Sequence, residues 1–306
     1  MPVAVTAIVP TIGRPDLDRA IRSVVTQTLA ELVTIVVVAD LPDGSLERPT
    51  AMRGGDTLIF TGGGRGGAYA RNLGIEHAST PWVAFLDDDD EWLPEKLQRQ
   101  LELADDLVER GESPLISSCH LQVDNATSRR SGVIPRRPYA GERPVAEFLF
   151  RRRRPAGGRA SMYTSTLLVA TDSARAVPWN ADLKRHQDWD WLIRLQRAGT
   201  TIRQLPQPLS LVHTGSTGSI SAGTDWRSSL AWADAILADE APGVMEDFLA
   251  AQTLRYALAA RDFAGISAVA ARIRSRRRIP SFGSVLIGLA GLIPRSRLEL
   301  LMTRFR

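Results

Sequence analysis

A chain of 306 residues, 44% hydrophobic and 24% charged, is long and apolar enough to bury a full core, as one large domain with an appendage or as two domains. No stretch reaches the roughly 20 apolar residues of a membrane-spanning helix, the first ten residues lack the basic segment of a signal peptide, and the single cysteine, Cys119, excludes an internal disulfide. The net charge of +4 joins two unlike parts, because residues from Ala251 onward hold 11 arginines against Asp262 and Glu299, a balance of +9 that leaves −5 for residues 1–250.

The N-terminal half alternates strands and helices. Val3–Val9 and Val33–Val38 are apolar, β-branched runs of the kind buried on both faces of a parallel sheet. A helix is expected between them, with Pro15 at its first position, Asp16 at the positive end of its dipole, and Leu17, Ala20, Ile21, Val24 and Val25 on one face. Thr57–Phe60 reads as a third, short strand, residues 68–77 as a helix and Trp82–Leu86 as a fourth strand. Pro94 and Glu95 open another helix, with Leu97, Leu101, Ala104 and Val108 along one side. Cys119, which follows the apolar Leu115-Ile116, is expected to be buried and inert, and a lone thiol suits a reducing cytoplasm. Residues 129–159 are rich in Arg, Pro and Gly, include the run Arg151–Arg154, and read as a loop carrying solvated charge. Leu167–Ala170 is again apolar. A helix starting near Asp188 runs through Trp191, Leu192, Leu195 and Ala198 to a stop at Gly199, and beyond Trp226 the chain reads as helices. This βαβ series predicts an α/β fold with a mostly parallel sheet flanked by helices.

The most informative feature is the run Asp87–Asp90 directly after the fourth strand. Carboxylates packed side by side repel one another unless donors or a cation hold them. No basic residue adjoins them in sequence, so the expected counter-charge is a hard divalent cation, Mg²⁺ or Mn²⁺, carrying a phosphorylated substrate. Ligands of open α/β sheets bind beyond the carboxyl ends of the strands, where this run falls. The plainer alternative is a solvated acidic turn. Gly62–Gly67 matches the spacing GxGxxG, with Asp87 20 residues beyond Gly67. Five glycines in six residues match many patterns, however, so a flexible loop with Arg65 near phosphate is the preferred reading. The absence of GxxxxGK[ST] argues against a P-loop nucleotidase.

Four segments together resemble family 2 glycosyltransferases of the GT-A fold. They are Val5–Leu17 with Ser23–Thr28, then Ala70–Ile75, then Phe85–Leu97 (FLDDDDEWLPEKL), then His186–Leu195 (HQDWDWLIRL), in the family's order over residues 3–215. The resemblance implies a Rossmann-like, mixed but mostly parallel sheet in a GT-A catalytic domain over residues 1–225, and a helical C-terminal region over 226–306. It also implies that Pro10, Thr11 and Asp40 line the base pocket, with Ala39 where a paired acid is usual, and that the base is uracil or thymine. Arg71 lies near the nucleotide in this reading. Asp87-x-Asp89 corresponds to the DxD element, with Asp89 as the metal ligand, Asp87 in support, Asp88 toward the ribose and Asp90 capping the next turn. Asp188 occupies the position of the general base, behind Gln187 where Glu is common, and Asp190 is the fallback base. His213 stands where metal or diphosphate contacts occur.

The expected function is therefore inverting transfer of a sugar from a nucleotide-diphospho-sugar to a hydroxyl, with a Mg²⁺ or Mn²⁺ cofactor. The acceptor would be a cell-envelope or exported glycan, a lipid-linked molecule or a small molecule. Residues 271–306, where Arg272, Arg274 and Arg276–Arg278 precede the apolar Phe282–Pro294, read as a peripheral contact with the cytoplasmic face of a membrane, a packed helix or a homo-oligomer contact. Two other classes compete. One is an NAD(P)-dependent oxidoreductase using Gly62–Gly67. The other is a non-catalytic membrane or nucleic-acid binding protein, its nucleic-acid form disfavoured by the acidic first part and by a basic tail without interleaved aromatics.

Overall fold

A computed structural model describes residues 4–152, 160–214 and 223–292. In chain order the elements are β1 (Val5–Thr11), α1 (Leu17–Val25), β2 (Val33–Ala39), β3 (Thr57–Phe60), α2 (Gly67–His77), β4 (Trp82–Phe85), β5 (Glu91–Trp92), α3 (Lys96–Glu109) and β6 (Pro114–Asp124). There follow α4 (Val145–Phe150), β7 (Leu168–Ala170), α5 (Thr171–Ala176), α6 (Gln187–Arg197) and β8 (Thr201–Thr214). The last are α7 (Trp226–Ile236), α8 (Val244–Phe248), a π-helical turn (Leu249–Thr253), α9 (Leu254–Ala259), α10 (Phe263–Ser275) and α11 (Phe282–Leu289). Described residues up to Val145 and from 160 to 214 form one compact unit, and residues 146–152 and 223–292 form a second.

The first unit is built on one sheet, ordered β3-β2-β1-β4-β7-β6-β8-β5. β3, β2, β1 and β4 are mutually parallel, β7 is antiparallel to both its neighbours, β8 returns parallel to β6, and β5 is antiparallel to β8. The sheet is thus α/β, mixed and mostly parallel, with helices beside it. β1 is buried along its whole length because both its faces are covered. Val5, Ala7 and Val9 share a cluster with Leu17, Ile21 and Val24 of α1 and with Leu97, Leu101 and Ala104 of α3. On the opposite face Ile8 meets α2 at Gly74, where a Cβ would stand 2.5 Å from Ile8 Cγ2, so only glycine lets this helix lie so close. The register pairs Thr11 with Ala39 and Ala39 with Phe60. The strands therefore finish together and their following loops share one edge.

Where the structure differs from the sequence reading, local cause is visible. α1 begins at Leu17 rather than Pro15, with Asp16 as its N-terminal flanking residue. The long parallel pair β6 and β8 has no clear apolar signature, since it buries Ser117, Ser118 and Gln204 and carries Pro206 and Pro208. Gln204 donates from Nε2 to the Ser118 and Ser161 carbonyls, and register shifts around Cys119 absorb the prolines. Cys119 is buried, and burial pushes its thiol up to about 11, as an inert core thiol requires.

The second unit is helical in its described residues. Asp225 and Asp262 accept from the amides of Ser228 and Gly265 and so cap α7 and α10. Part of the presumed solvated arginine run belongs here. Arg151 ion-pairs at 3.0 Å with the fully buried Asp247, whose carboxylate also accepts from the Arg152 and Ser281 amides. Arg151 is thus an internal counter-ion, and Phe150 of α4 packs edge-on against Phe248. Arg153 and Arg154 lie outside the described residues. No described helix is long and apolar enough to cross a membrane.

Candidate active site

The four aspartates leave β4 into a cluster of donors that the linear sequence hides. Thr11, at the end of β1, donates from Oγ1 to Asp88 at 2.6 Å. Arg14 donates from one terminal nitrogen to both Asp88 and Asp89, at 2.9 Å each. Arg19 of α1 donates to the Asp89 carbonyl and ion-pairs with Glu91 at 3.3 Å. Asp87 ion-pairs with Arg71 of α2 at 2.7 Å. The expectation of no basic residue beside the run is therefore corrected: α1, α2 and the loop after β1 bring three guanidinium groups to it through folding.

Asp90 is not a cap. It is buried, accepting from Ser165 Oγ at 2.5 Å and from the His213 amide at 2.8 Å. Burial, reinforced by Asp87 and Asp89, drives its carboxyl well above the ordinary carboxylate range. Ser165 also accepts from the Asp87 amide, and its carbonyl takes the indole N–H of Trp92, so it ties the acidic loop to the segment before β7. Asp88 is raised as well, chiefly by burial, against the hydroxyl of Thr11 and the charge of Arg14.

Arg71 joins two parts of the site. Its guanidinium bonds Asp87, reaches Gln187 Oε1 at 3.3 Å and lies over the Trp179 ring at 5.0 Å. Trp179 is fixed in turn by stacking on Trp191 and by an edge contact with Phe85. Arg71 is 8% exposed, so it is an interior residue of the site rather than a surface arginine. Asp188 opens α6 beside Gln187 and accepts from Thr164 Oγ1 at 2.6 Å. Part of its surface stays accessible, yet the protein around it is dense enough that desolvation raises its carboxyl, opposed by the Arg71 charge and the Thr164 hydroxyl. Asp190, the fallback base, is buried and ion-paired at 2.7 Å with Arg194, one turn along the helix, which removes it from solvent.

Asp40 has a more demanding local task than its sequence position suggests. Its carboxylate accepts from Thr61 Oγ1 and from the amides of Arg65 and Gly66, at 2.8 and 2.7 Å. Burial works to raise its pKa, but the Thr61 hydroxyl and the two amides outweigh it and hold the carboxyl below its ordinary value. Gly62, Gly63, Gly64 and Gly66 all have positive φ, which lets the loop curl back onto this carboxylate. The Gly66 amide, immediately before α2, is thus already engaged by this carboxylate. Pro10 and Thr11 lie at the end of the neighbouring strand.

Among the described residues no group of three or more His, Cys, Asp or Glu is placed to hold a metal. His213 is not grouped with Asp87 and Asp89: its Nε2 lies 2.9 Å from Glu91 Oε1 and its Nδ1 2.6 Å from Asn125 Oδ1. The carboxylates of Asp87 and Asp89, at a strand end, nevertheless offer the oxygen ligands that Mg²⁺ and Mn²⁺ take, such ions completing their shells with phosphates and water. Arg14, Thr164, Ser165 and Gln187 escaped assignment from the sequence. Arg14 lies within Val5–Leu17, whereas the Thr164–Ser165 segment has no distinguishing pattern and is brought in by tertiary folding alone.

The profile described as glycosyl transferase family 2 matches residues 6–142, which hold the aspartate run, Arg14 and Arg71. This chain carries a family 2 glycosyltransferase domain. Over 171 residues the chain is 33% identical to the amylovoran biosynthesis glycosyltransferase AmsB of Erwinia amylovora, covering 56% of this chain and 54% of that protein. It is 31% identical over 102 residues to the putative teichuronic acid biosynthesis glycosyltransferase TuaG of Bacillus subtilis (strain 168), covering 32% of this chain and 40% of that protein. The matches thus span about half the length of these relatives or less. The fold is similar to that of S. aureus TarS residues 1–349 in complex with UDP-GlcNAc, with a TM-score of 0.58 at 15% identity, covering 83% of this chain and 72% of that one. The same TarS fragment in complex with UDP gives a TM-score of 0.57 at 13% identity, covering 94% and 90%. The family 2 domain accordingly has a GT-A type fold, and its matched segment contains the Gly62–Gly67 loop that the oxidoreductase alternative relied on.

Proposed function

We propose that the chain is an inverting glycosyltransferase, with residues 1–225 as its catalytic domain, that moves a sugar from a UDP- or dTDP-linked donor to a hydroxyl of a cell-envelope or exported polysaccharide. The observation that carries this reading is the position of Arg71 in a family 2 domain. One buried guanidinium bonds the strand-end acid Asp87 and the side chain next to Asp188, so the nucleotide side and the candidate base share a rigid anchor. The names of AmsB and TuaG support polysaccharide synthesis, and the UDP-GlcNAc complex of TarS supports a uridine donor.

In this mechanism Asp188 takes the proton of the acceptor hydroxyl while its oxygen attacks the anomeric carbon from the face opposite the diphosphate. The bond to the diphosphate oxygen breaks with its electron pair on the leaving group, and the configuration inverts. A carboxyl raised by burial is a better proton acceptor than an exposed one, and the Arg71 charge and the Thr164 hydroxyl oppose that rise. Thr11 and Arg14 hold Asp88 toward the ribose, and Pro10, Thr11 and Asp40 border the base. Held by Asp89 with Asp87 in support, Mg²⁺ or Mn²⁺ would neutralise charge on the departing diphosphate. A screen of nucleotide sugars for hydrolysis with and without Mg²⁺ or Mn²⁺, followed by transfer assays on the active donor, tests the reading. Hydrolysis of a UDP- or dTDP-sugar that Asp188→Asn abolishes is the expected result. Turnover of none, or unchanged turnover in the variant, would overturn it.

A further inference from the structure

The C-terminal helical unit divides its arginines into two kinds. Arg272 is bonded to Asp234 at 2.6 Å, and Arg276 to the fully buried Glu246 at 2.7 Å and to the Ala238 carbonyl. Arg274, Arg277 and Arg278 are exposed, and among the described residues their guanidinium groups have no hydrogen-bond or ion-pair partner. With Ala270, Ile273, Ile279 and Pro280 they line an open groove of about 470 Å³, so three cationic side chains rim an apolar floor.

The helix that follows is turned in an unusual sense. α11 lies on the preceding helical segment through its small residues: a Cβ on Gly288 would come 2.1 Å from the Ala250 carbonyl oxygen. Gly283 and Ser284 are buried with it. Its large residues consequently face away. Phe282, Leu286 and Leu289, at positions i, i+4 and i+7, are 69%, 39% and 43% exposed, and Ile279 just before them is 92% exposed. An apolar stripe of this kind on a soluble protein marks a contact surface.

We infer that the outward face of α11, together with the arginine-rimmed groove beside it, is a docking surface for an anionic phospholipid bilayer. Charge chooses the occupant. A second copy of the chain would bring its own Arg274, Arg277 and Arg278 against these. Residues 293–306 are themselves basic, with Arg295, Arg297, Arg304 and Arg306 against Glu299, so they too would be repelled by the rim. Lipid phosphates satisfy the guanidinium groups while Phe282, Leu286 and Leu289 enter the acyl boundary, as in helices that lie in the membrane interface. No described helix is long and apolar enough to cross the bilayer.

Cosedimentation with vesicles of phosphatidylcholine alone, and with about one third phosphatidylglycerol, tests this without reference to catalysis. The full chain is expected to pellet only with the anionic vesicles and to be released by salt. Arg274→Gln/Arg277→Gln/Arg278→Gln should weaken partitioning about 100-fold, each arginine near the surface contributing about a factor of five. Leu286→Ser/Leu289→Ser should weaken it at least tenfold with unchanged helical circular dichroism, because both positions are exposed in the folded unit. Equal pelleting with neutral vesicles, no pelleting with either, or insensitivity to both variants would overturn the inference. So would a concentration-dependent dimer that Leu286→Ser/Leu289→Ser abolishes, which would give the face to a second copy.

Discussion

The two compact units both place arginines on carboxylates, but they do so for opposite ends. In the helical unit Asp247 and Glu246 are fully buried and each meets an arginine from a distant segment, Arg151 and Arg276. Asp247 is further closed off by two backbone amides, and such a site holds chain segments together. At the sheet edge the carboxylates of Asp87 and Asp89 keep 35% and 13% of their surface, stand beside like charges, and share guanidinium groups that also reach other residues. Clustered, partly open carboxylates raise the energy of the unliganded protein, a cost that a structural ion pair has no reason to carry. The same chemistry is therefore a fastening in one unit and a poised surface in the other.

The largest effect expected from this contrast is on turnover. Asp188→Asn keeps the volume and a hydrogen-bond acceptor for Thr164 but cannot take a proton, so transfer should fall by about 10² to 10⁴ while folding and nucleotide binding persist. Asp190→Asn should instead retain most activity and lower the melting temperature, because Asp190 serves Arg194. Near wild-type transfer by Asp188→Asn would move the base elsewhere. Next comes Asp247→Ala, which strands Arg151 and two amides and should cost about 3 to 5 kcal/mol, read as early melting of the helical unit in calorimetry. An unchanged melting profile would show that this pair does not fasten anything.

A third test uses pH. His120, in β6, is wholly buried, touches Tyr163 edge-on, and has no hydrogen-bond partner on either ring nitrogen among the described residues. Burial lowers its pKa to about 4, against 6.5 for the free side chain. Between these values the unfolded chain binds a proton that the native state does not, so this contribution to stability is complete above pH 6.5 and is lost as the pH falls to 4. Its size is on the order of 3 kcal/mol. Denaturant titrations of wild type and His120→Phe across that range should diverge as the pH drops, and parallel curves would show that the imidazole titrates normally. The smallest effect separates the open cluster from the closed pairs. Asp89→Ala should leave the melting temperature within roughly a few degrees yet weaken UDP binding about tenfold or more in calorimetry with Mg²⁺ or Mn²⁺. Equal UDP affinity in the variant, or with chelator, would remove the aspartates from diphosphate binding.

Much of this was legible from short-range pattern. β1, β2, β3 and β4 announce themselves by apolar, β-branched runs, α2, α3 and α6 by helical spacing, and the aspartate run by its place after a buried strand. The motifs around Thr11, Arg71, Asp87–Asp90 and Asp188 were enough to point to family 2 glycosyltransferases, because in this fold strand ends and helix starts are local features. β6 and β8 were not legible, since prolines and buried serines break the alternation and the strands are held by hydrogen bonds to partners more than 40 residues away. Nor was α4, six residues embedded in an arginine-rich stretch.

Composition and periodicity settle which segments form strands and helices here, because those choices depend on neighbours within one or two turns. They do not settle which charges meet. That Arg14 rather than solvent faces Asp88 and Asp89, that Arg71 stands between Asp87 and the start of α6, that Asp40 holds the glycine loop, and that α11 turns its leucines outward are consequences of how distant segments pack. Each depends on a through-space distance of a few ångströms between residues tens of positions apart, a quantity that no linear spacing encodes.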